Sequence, residues 1–386
     1  MNRVLTESAA ASTATVDLSA IAHNLGVVAE RSGAGVIGVV KADAYGHGAV
    51  PVARALVDAG VAELGVAHIT EARVLRAAGV EAHLTAWLHT PGADFGGAID
   101  DGVDVAVSSP RQLHALADAA RERGTTAEFT LKIDTGLARS GIAPGEWAET
   151  ARDVARLQAE GVLRLRATMC HLVCGDEPDN PLNSQQAAAL DAAVDDLRRL
   201  SVAPDVVHIA NSPAALTRPD LARDLVRPGI ALYGYSPIPQ LGDFGLIPAM
   251  TLSATVALVK KIDAGQGVSY GHTWVAPRDT VVAVLPIGYA DGVPRLLSNR
   301  LTVDINGRSF PGVGRICMDQ LVVELGPDGG GVAEGDVATL FGPTPAGAQH
   351  VPTATDWADE IGTIDYEIVT GIRGRVVRRY VGEAVK

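Results

Sequence analysis

From Gly35 to Val226 the sequence repeats one pattern: a short, almost wholly apolar run, then a longer stretch carrying an apolar stripe. The first run is Gly35-Val-Ile-Gly-Val-Val40, followed by a helix-like stretch from Gly48 to Ala59. Glu63 to Ala67, His83 to Leu88, Val103 to Val107, Phe129 to Ile133, Leu163 to Met169, Val206 to Ile209 and Leu225 to Val226 continue it. Thr70 to Ala78, Pro110 to Arg123 and Ser184 to Leu200 are helical candidates between them. A strand without polar alternation has no wet face, so both faces must be covered, as in a parallel sheet whose crossovers are helices. About eight such units in ~220 residues predict an α/β fold that closes into a (β/α)8 TIM barrel rather than an open doubly wound sheet. No GxGxxG follows an early strand, which weighs against a dinucleotide site.

After Tyr235-Ser-Pro237 the texture changes. Ile238 to Met250 reads as a linker rich in Pro and Gly. Beyond it Thr251 to Val259, Thr280 to Pro286, Leu301 to Ile305, Gln320 to Leu325 and Val337 to Phe341 are strand-like, predicting a C-terminal mostly-β domain. The expected division is a tail at 1–14, the barrel at 15–240 and the β domain at 241–386, in line with ~150 residues per domain. Thr13 to Leu18 is also strand-like and is expected to pair with the β domain.

Composition excludes several functions. A net charge of −13 disfavours a nucleic-acid binder, which normally carries a basic face. No apolar stretch reaches the ~20 residues that cross a bilayer, and Met1 to Thr13 lacks an apolar signal core. The expectation is a cytoplasmic protein without membrane or nucleic-acid partners. Cys170, Cys174 and Cys317 form neither a bridge framework nor a CxxC pair, so they read as reduced space-fillers, and no metal is expected.

Only five lysines stand against 27 arginines, so a retained lysine points to chemistry that needs an amine able to lose its proton. Lys41 ends the first strand, where barrel catalytic groups lie, amid Val, Ala and Gly. A lysine so placed can form a Schiff base with a carbonyl cofactor.

Its segment, Val39-Val-Lys41-Ala-Asp-Ala-Tyr45-Gly-His-Gly48, resembles the pyridoxal-phosphate lysine segment of the alanine racemases, enzymes of fold type III. The likeness runs from about Thr15 to Tyr380. It recurs at Lys132-Ile-Asp-Thr-Gly-Leu-Ala-Arg139-Ser-Gly141, His208-Ile-Ala-Asn211-Ser212-Pro, Arg227-Pro-Gly-Ile230-Ala-Leu-Tyr-Gly234, Val268-Ser-Tyr270-Gly-His, Gly288-Tyr-Ala-Asp-Gly292 and Gly314-Arg-Ile-Cys-Met318-Asp319-Gln. The resemblance implies a barrel, a β domain and a homodimer whose active sites are shared between chains. It implies pyridoxal 5'-phosphate joined to Lys41. Tyr45, Ser212, Gly229 and Ile230 would hold the phosphate, with Asn211 and Tyr366 beside the cofactor. Independently, Ser212-Pro213 reads as the start of a helix, a ready anion site.

Arg227 would face the pyridine nitrogen. A guanidinium does not readily give up its proton, so the ring stays a weaker electron sink, which suits a short-lived carbanion. Racemisation needs two acid–base groups, one on each side of the reacting carbon. By resemblance Lys41 serves one face and Tyr270, lent by the partner chain, the other, with both pKa values lowered and His171 linking the tyrosine to Arg227. Arg139 would contact the cofactor phenolic oxygen and the substrate carboxylate. Lys132 matches a position often carbamylated in the family, leaving a plain cation or a carbamate. Tyr289, Met318 and Asp319 would complete the substrate pocket and its entrance.

One position departs from the pattern. In Tyr366-Glu-Ile-Val-Thr-Gly-Ile-Arg-Gly374-Arg-Val a second entrance tyrosine is replaced by Gly374, which predicts admission of serine and other small amino acids beside alanine. The function expected is L-/D-alanine interconversion supplying D-alanine for peptidoglycan. A decarboxylase of the same architecture would instead carry a Cys-Asp pair and an acidic partner for the ring nitrogen. A cofactor carrier without turnover would lack the second domain.

Overall fold

The computed structural model describes residues 10–344 and 351–382. They fall into two compact units, one of residues 21–44 and 49–246, the other of residues 10–20, 45–48, 247–344 and 351–382. The expected tail at 1–14 therefore lies outside the described residues up to residue 9. Its remainder runs into a strand, β1 (Ser12–Asp17), so the first expected boundary does not follow strand pairing.

The first unit is a closed parallel barrel of β2 (Gly35–Val39), β3 (Glu63–Val66), β4 (Leu84–Ala86), β5 (Asp104–Val107), β6 (Ala127–Lys132), β7 (Leu163–Met169), β8 (Val206–Asn211) and β9 (Leu225–Arg227). β2 meets β9 at Gly35↔Leu225 and Val36↔Val226, closing the ring. Every residue of β3, β4 and β5 is buried, which is why these runs lack alternation. Helices return the chain between strands. Pro110–Arg123 is bounded as its residues dictate, with Ser109 capping the Gln112 N–H, Pro110 in the first turn and Gly124 at φ +60° beyond the end.

The barrel interior is not wholly apolar. Arg166 of β7 pairs with Glu63 of β3 and lies 3.7 Å from Asp104 of β5, both carboxylates being buried. Thr130 donates to Asp104 at 2.7 Å and Thr85 at 3.3 Å, while His83 reaches the same oxygen at 3.3 Å.

The second unit is built on a nine-stranded sheet. Its strands are β1, β10 (Met250–Thr255), β11 (Leu258–Ile262), β14 (Thr280–Leu285), β15 (Thr302–Ile305), β16 (Arg308–Val313), β17 (Leu321–Gly326), β18 (Val337–Phe341) and β19 (Val377–Val381), with a small pair β12 (Gly267–Val268) and β13 (Trp274–Val275). The order is β11-β14-β17-β16-β15-β18-β10-β1-β19. β1, β10 and β17 alternate buried and half-buried residues, the signature of a sheet covered on one face. The Thr13–Leu18 segment joins this sheet, antiparallel to β10 and parallel to β19. The single strand expected over Thr251 to Val259 is two. β10 pairs with β1 and β18, whereas β11 pairs with β14 at the far edge of the sheet. Hydrophobic pattern runs through Val256-Ala257 unbroken, and only the pairing shows where the chain changes place. Helices Ala354–Ile361 and Asp365–Gly371 and the strands β16 and β19 went unforeseen.

Candidate active site

Barrel strand ends deliver most of the candidate residues. Lys41 lies two residues beyond β2, Lys132 closes β6, His171 follows β7, Asn211 closes β8, Ser212 opens the helix Ser212–Thr217, and Arg227 closes β9. These are the carboxyl ends of the strands, the face on which barrel enzymes assemble their sites.

Arg227 is the most firmly held. Its guanidinium is buried and donates to His208 Nδ1 at 2.7 Å, to the Cys170 carbonyl at 2.7 Å and to the Ile209 carbonyl at 3.2 Å, and it reaches His171 Nδ1 at 3.5 Å. Burial pushes its pKa down to about 10, still far above neutrality, so it remains a cation. The two imidazoles around it answer this charge by staying neutral. Burial first, then Arg227, holds His208 well below its ordinary range, and the same causes, joined by Arg139, Lys132 and Lys41, bring His171 down to about 3. A neutral His208 offers Nδ1 as an acceptor, which is what the arginine requires.

Lys132 Nζ is buried and donates to Ser140 Oγ at 2.6 Å. Burial, then Arg227 and Arg139, lower its pKa to about 8. Ser140 and Arg139 sit on a tight loop. Asp134 Oδ1 accepts from Gly136 and Ala138 at 3.0 and 3.1 Å, and Ile142 donates to the Lys132 carbonyl at 2.8 Å. Gly141, at φ +131°, closes the loop where a Cβ would stand 2.6 Å from the Asp134 nitrogen. Lys41 is lowered as well, by burial and then by Arg139, with Glu71 opposing. Ser212 Oγ, buried, accepts from the Gly229 N–H at 2.8 Å and the Ala231 N–H at 3.4 Å. Asn211 Oδ1 faces the Ala214 N–H at 3.4 Å, capping the helix that Ser212 begins.

The β unit holds the other candidates. Tyr45 and Tyr366 meet with their rings tilted by 51° and 6.1 Å between centres, and burial raises the Tyr45 hydroxyl pKa. Tyr270 stands on a strained turn: Ser269, Gly271 and His272 have φ of +61°, +70° and +44°. Ser269 Oγ fastens it by donating to the Arg315 carbonyl at 2.6 Å. Gly314 permits the approach, since a Cβ there would lie 2.7 Å from the Val268 carbonyl oxygen. The phenol is thus presented outward, 69% exposed. Tyr289 and Ala290 donate to the carbonyls of Cys317 and Met318 at 3.0 and 3.1 Å, which brings Tyr289, Met318 and Asp319 together. Arg375 donates twice to buried Asp291, at 3.0 Å each, and once to Asp319 at 2.8 Å. Gly374 adopts φ +71°, with a Cβ position 3.0 Å from the Ala290 carbonyl oxygen, so no side chain fits this backbone without movement.

Sequence reasoning passed over Glu71, Ser140, Arg315 and Arg375. A glutamate three residues past a helix start was the available signal for Glu71. Ser140 and Arg315 lie inside the quoted motifs, which do not show their contacts with Lys132 and Ser269, and Arg375 pairs with residues 56 and 84 positions away and left no signal.

The chain matches the description "Alanine racemase, N-terminal domain" over residues 16–237 and "Alanine racemase, C-terminal domain" over residues 249–380. The chain belongs to the alanine racemase family. It is 56% identical over 368 residues to the alanine racemase of Mycobacterium ulcerans (strain Agy99), covering 95% of this chain and 94% of that protein. Mycobacterium tuberculosis (strain ATCC 25618 / H37Rv) has an alanine racemase 56% identical over 368 residues, covering 95% of each. Among solved structures, alanine racemase from D-cycloserine producing Streptomyces lavendulae superposes with a TM-score of 0.93 at 46% identity, covering 97% of this chain and 98% of that one. That from Bartonella henselae, with covalently bound pyridoxal phosphate, gives 0.86 at 30% identity, over 97% and 100%. The alanine racemase family is one of isomerases, and its two-domain architecture is the one described above.

Proposed function

We propose that this chain interconverts L- and D-alanine using pyridoxal 5'-phosphate held on Lys41, in the cytoplasm, supplying D-alanine for peptidoglycan. The observation that carries the reading is charge. Lys41, Lys132, Arg139 and Arg227 gather at the barrel's strand ends, where burial first and then their mutual repulsion lower both amines and His171. Such a concentration of positive charge fits a ligand bearing a phosphate, a phenolate and a carboxylate. The hydroxyl of Ser212, which accepts the Gly229 N–H and keeps its own proton to donate, stands at the start of a helix and fits the phosphate itself. The relative from Bartonella henselae with covalently bound pyridoxal phosphate supports the same choice.

Bound there, the cofactor would supply an electron-withdrawing ring conjugated to the substrate and so acidify its Cα–H. The remaining work falls to the chain. Arg227, fixed by two carbonyls and a neutral His208, would donate to the ring nitrogen without giving up its proton, leaving the ring a weaker electron sink. Lys41, with a lowered pKa, would take or return the Cα proton on one face as a free amine. Tyr270 of a second chain would serve the opposite face. Its high exposure on a turn of positive φ supports donation to a homodimer partner. His171 would relay between the phenol and Arg227. Arg139 would hold the substrate carboxylate and, if Lys132 carries CO2, would be braced by that carbamate. Asn211, Tyr45, Tyr366 and Ile230 would line the cofactor, and Tyr289, Met318 and Asp319 the entrance.

Gly374 favours a second reading of specificity, a racemase that also accepts serine. One small group discriminates by only ~1–3 kcal/mol, so alanine stays preferred. Incubation with L-alanine in deuterated water tests the reaction. Cα-deuteration with loss of optical rotation is expected, whereas CO2 release identifies a decarboxylase and no change a carrier. A kcat/KM preference for L-alanine over L-serine above about a thousandfold contradicts the broadened gate.

A further inference from the structure

Lys41 is followed by backbone that side chains avoid. Ala42, Asp43, Ala44 and Tyr45 have φ of +54°, +54°, +53° and +54°, a left-handed turn with no glycine until Gly46. L-residues adopt this conformation singly, seldom four in a row, so the surroundings must hold it. One holder lies outside the segment. Glu71, third residue of the helix Ile69–Ala77, accepts the Ala42 N–H on Oε1 at 2.6 Å and the N–H groups of Ala67 and His68 on Oε2 at 2.9 Å each. All three partners are donors. A carboxylate offers only acceptors and satisfies them, whereas an amide of the same shape would turn its own N–H against at least one. Within the turn, Asp43 accepts the Ala49 N–H at 2.7 Å and Ala44 donates to the Val40 carbonyl at 3.0 Å.

We propose that Glu71 is a positioning residue for the amine of Lys41: its carboxylate clamps the left-handed turn at the first peptide after the lysine and ties it to the end of β3. The claim rests on Lys41 being the cofactor lysine. Electrostatics agree with the geometry. Arg139, Lys132 and His171 face Lys41 from the loop after β6, the end of β6 and the end of β7, and Glu71 is the carboxylate that opposes the cations. Clamp and charge therefore act through one side chain.

Competitive acylation of the full chain, stripped of cofactor, across a pH series with peptide mapping reads the titration of Lys41. E71Q is expected to lower its midpoint by about half a pH unit or more, because a neighbouring negative charge is lost. After pyridoxal phosphate is restored, borohydride-trappable label is expected to return to Lys41 about tenfold more slowly. An unchanged midpoint with an unchanged trapping rate overturns the role of Glu71. Label on a different lysine in the wild-type chain overturns the assignment of Lys41, and this proposal with it. Should E71Q fail to fold, hydrogen exchange in the wild-type chain decides: the Ala42 amide is expected to exchange about a hundredfold more slowly than an unstructured one, and exchange at the unstructured rate overturns the clamp.

Discussion

Burial and positive charge together set the chemistry available to Lys41, Lys132 and His171. Lys132 illustrates the balance. With a pKa near 8 its amine is partly neutral at physiological pH, and the neutral form is the one that captures CO2. A carbamate resonance is therefore expected in carbon-13 spectra with labelled bicarbonate at pH 8, weaker at pH 6 where the amine is protonated, and gone in K132A. At Tyr270 the demand is stereochemical. If the phenol serves one face, Y270F should lower racemisation by ~10²–10⁴ while leaving exchange of the Cα proton measurable from the Lys41 face with one enantiomer only. Equal exchange from both enantiomers at the wild-type rate excludes the two-base scheme.

Turns and strand pairs impose their own constraints on how these residues are offered. The Tyr270 turn depends on Gly314, whose φ of +75° and tight approach to Val268 exclude a side chain. G314A should cost about 1–3 kcal/mol in denaturant unfolding and depress kcat with the same substrates, because the turn that carries the phenol must shift. Gly374 obeys a similar rule, so restoring a tyrosine there strains the backbone rather than simply narrowing an entrance. In the barrel, Arg166 stands between Glu63 and Asp104. Replacing it by Met leaves two buried carboxylates without their cation, and a loss of ~3–5 kcal/mol is expected. A change below ~1 kcal/mol would show that water or His83 already compensates them.

Across the molecule, buried titratable groups make stability depend on pH. His89, His171 and His208 are all driven by burial below the ordinary 6.5, to about 4, to about 3 and well below that value. Each is neutral when folded and charged when unfolded under mild acid, so the unfolded state binds more protons and stability falls as pH drops below 6.5. Asp365 works against them: burial raises it to about 6, so between about 4 and 6 the folded state is the one that binds more protons. Near pH 5 three protons against one leave a net of about two, worth ~2.7 kcal/mol per pH unit. Urea unfolding at pH 7, 6 and 5 should show this decline, and H171Q, which cuts the net uptake near pH 5 from about two protons to about one, should flatten it there by about half. A flat profile would mean that these histidines are hydrated in solution.

Local order in the chain was enough to reveal strands buried on both faces, the lysine at a strand end and the motifs that mark the family, because each is written in residues adjacent in sequence. Covalent neighbours also announced Ser212 and Pro213 as a helix start. Strand exchange at Val256-Ala257, the neutral state of His208, the pairing of Arg375 with Asp291 and Asp319, and the clamp of Glu71 on Ala42 were decided by tertiary structure alone. The reason is physical. A buried charge or a left-handed peptide takes its energy from groups folded against it, and 29 residues separate Ala42 from the carboxylate that holds it.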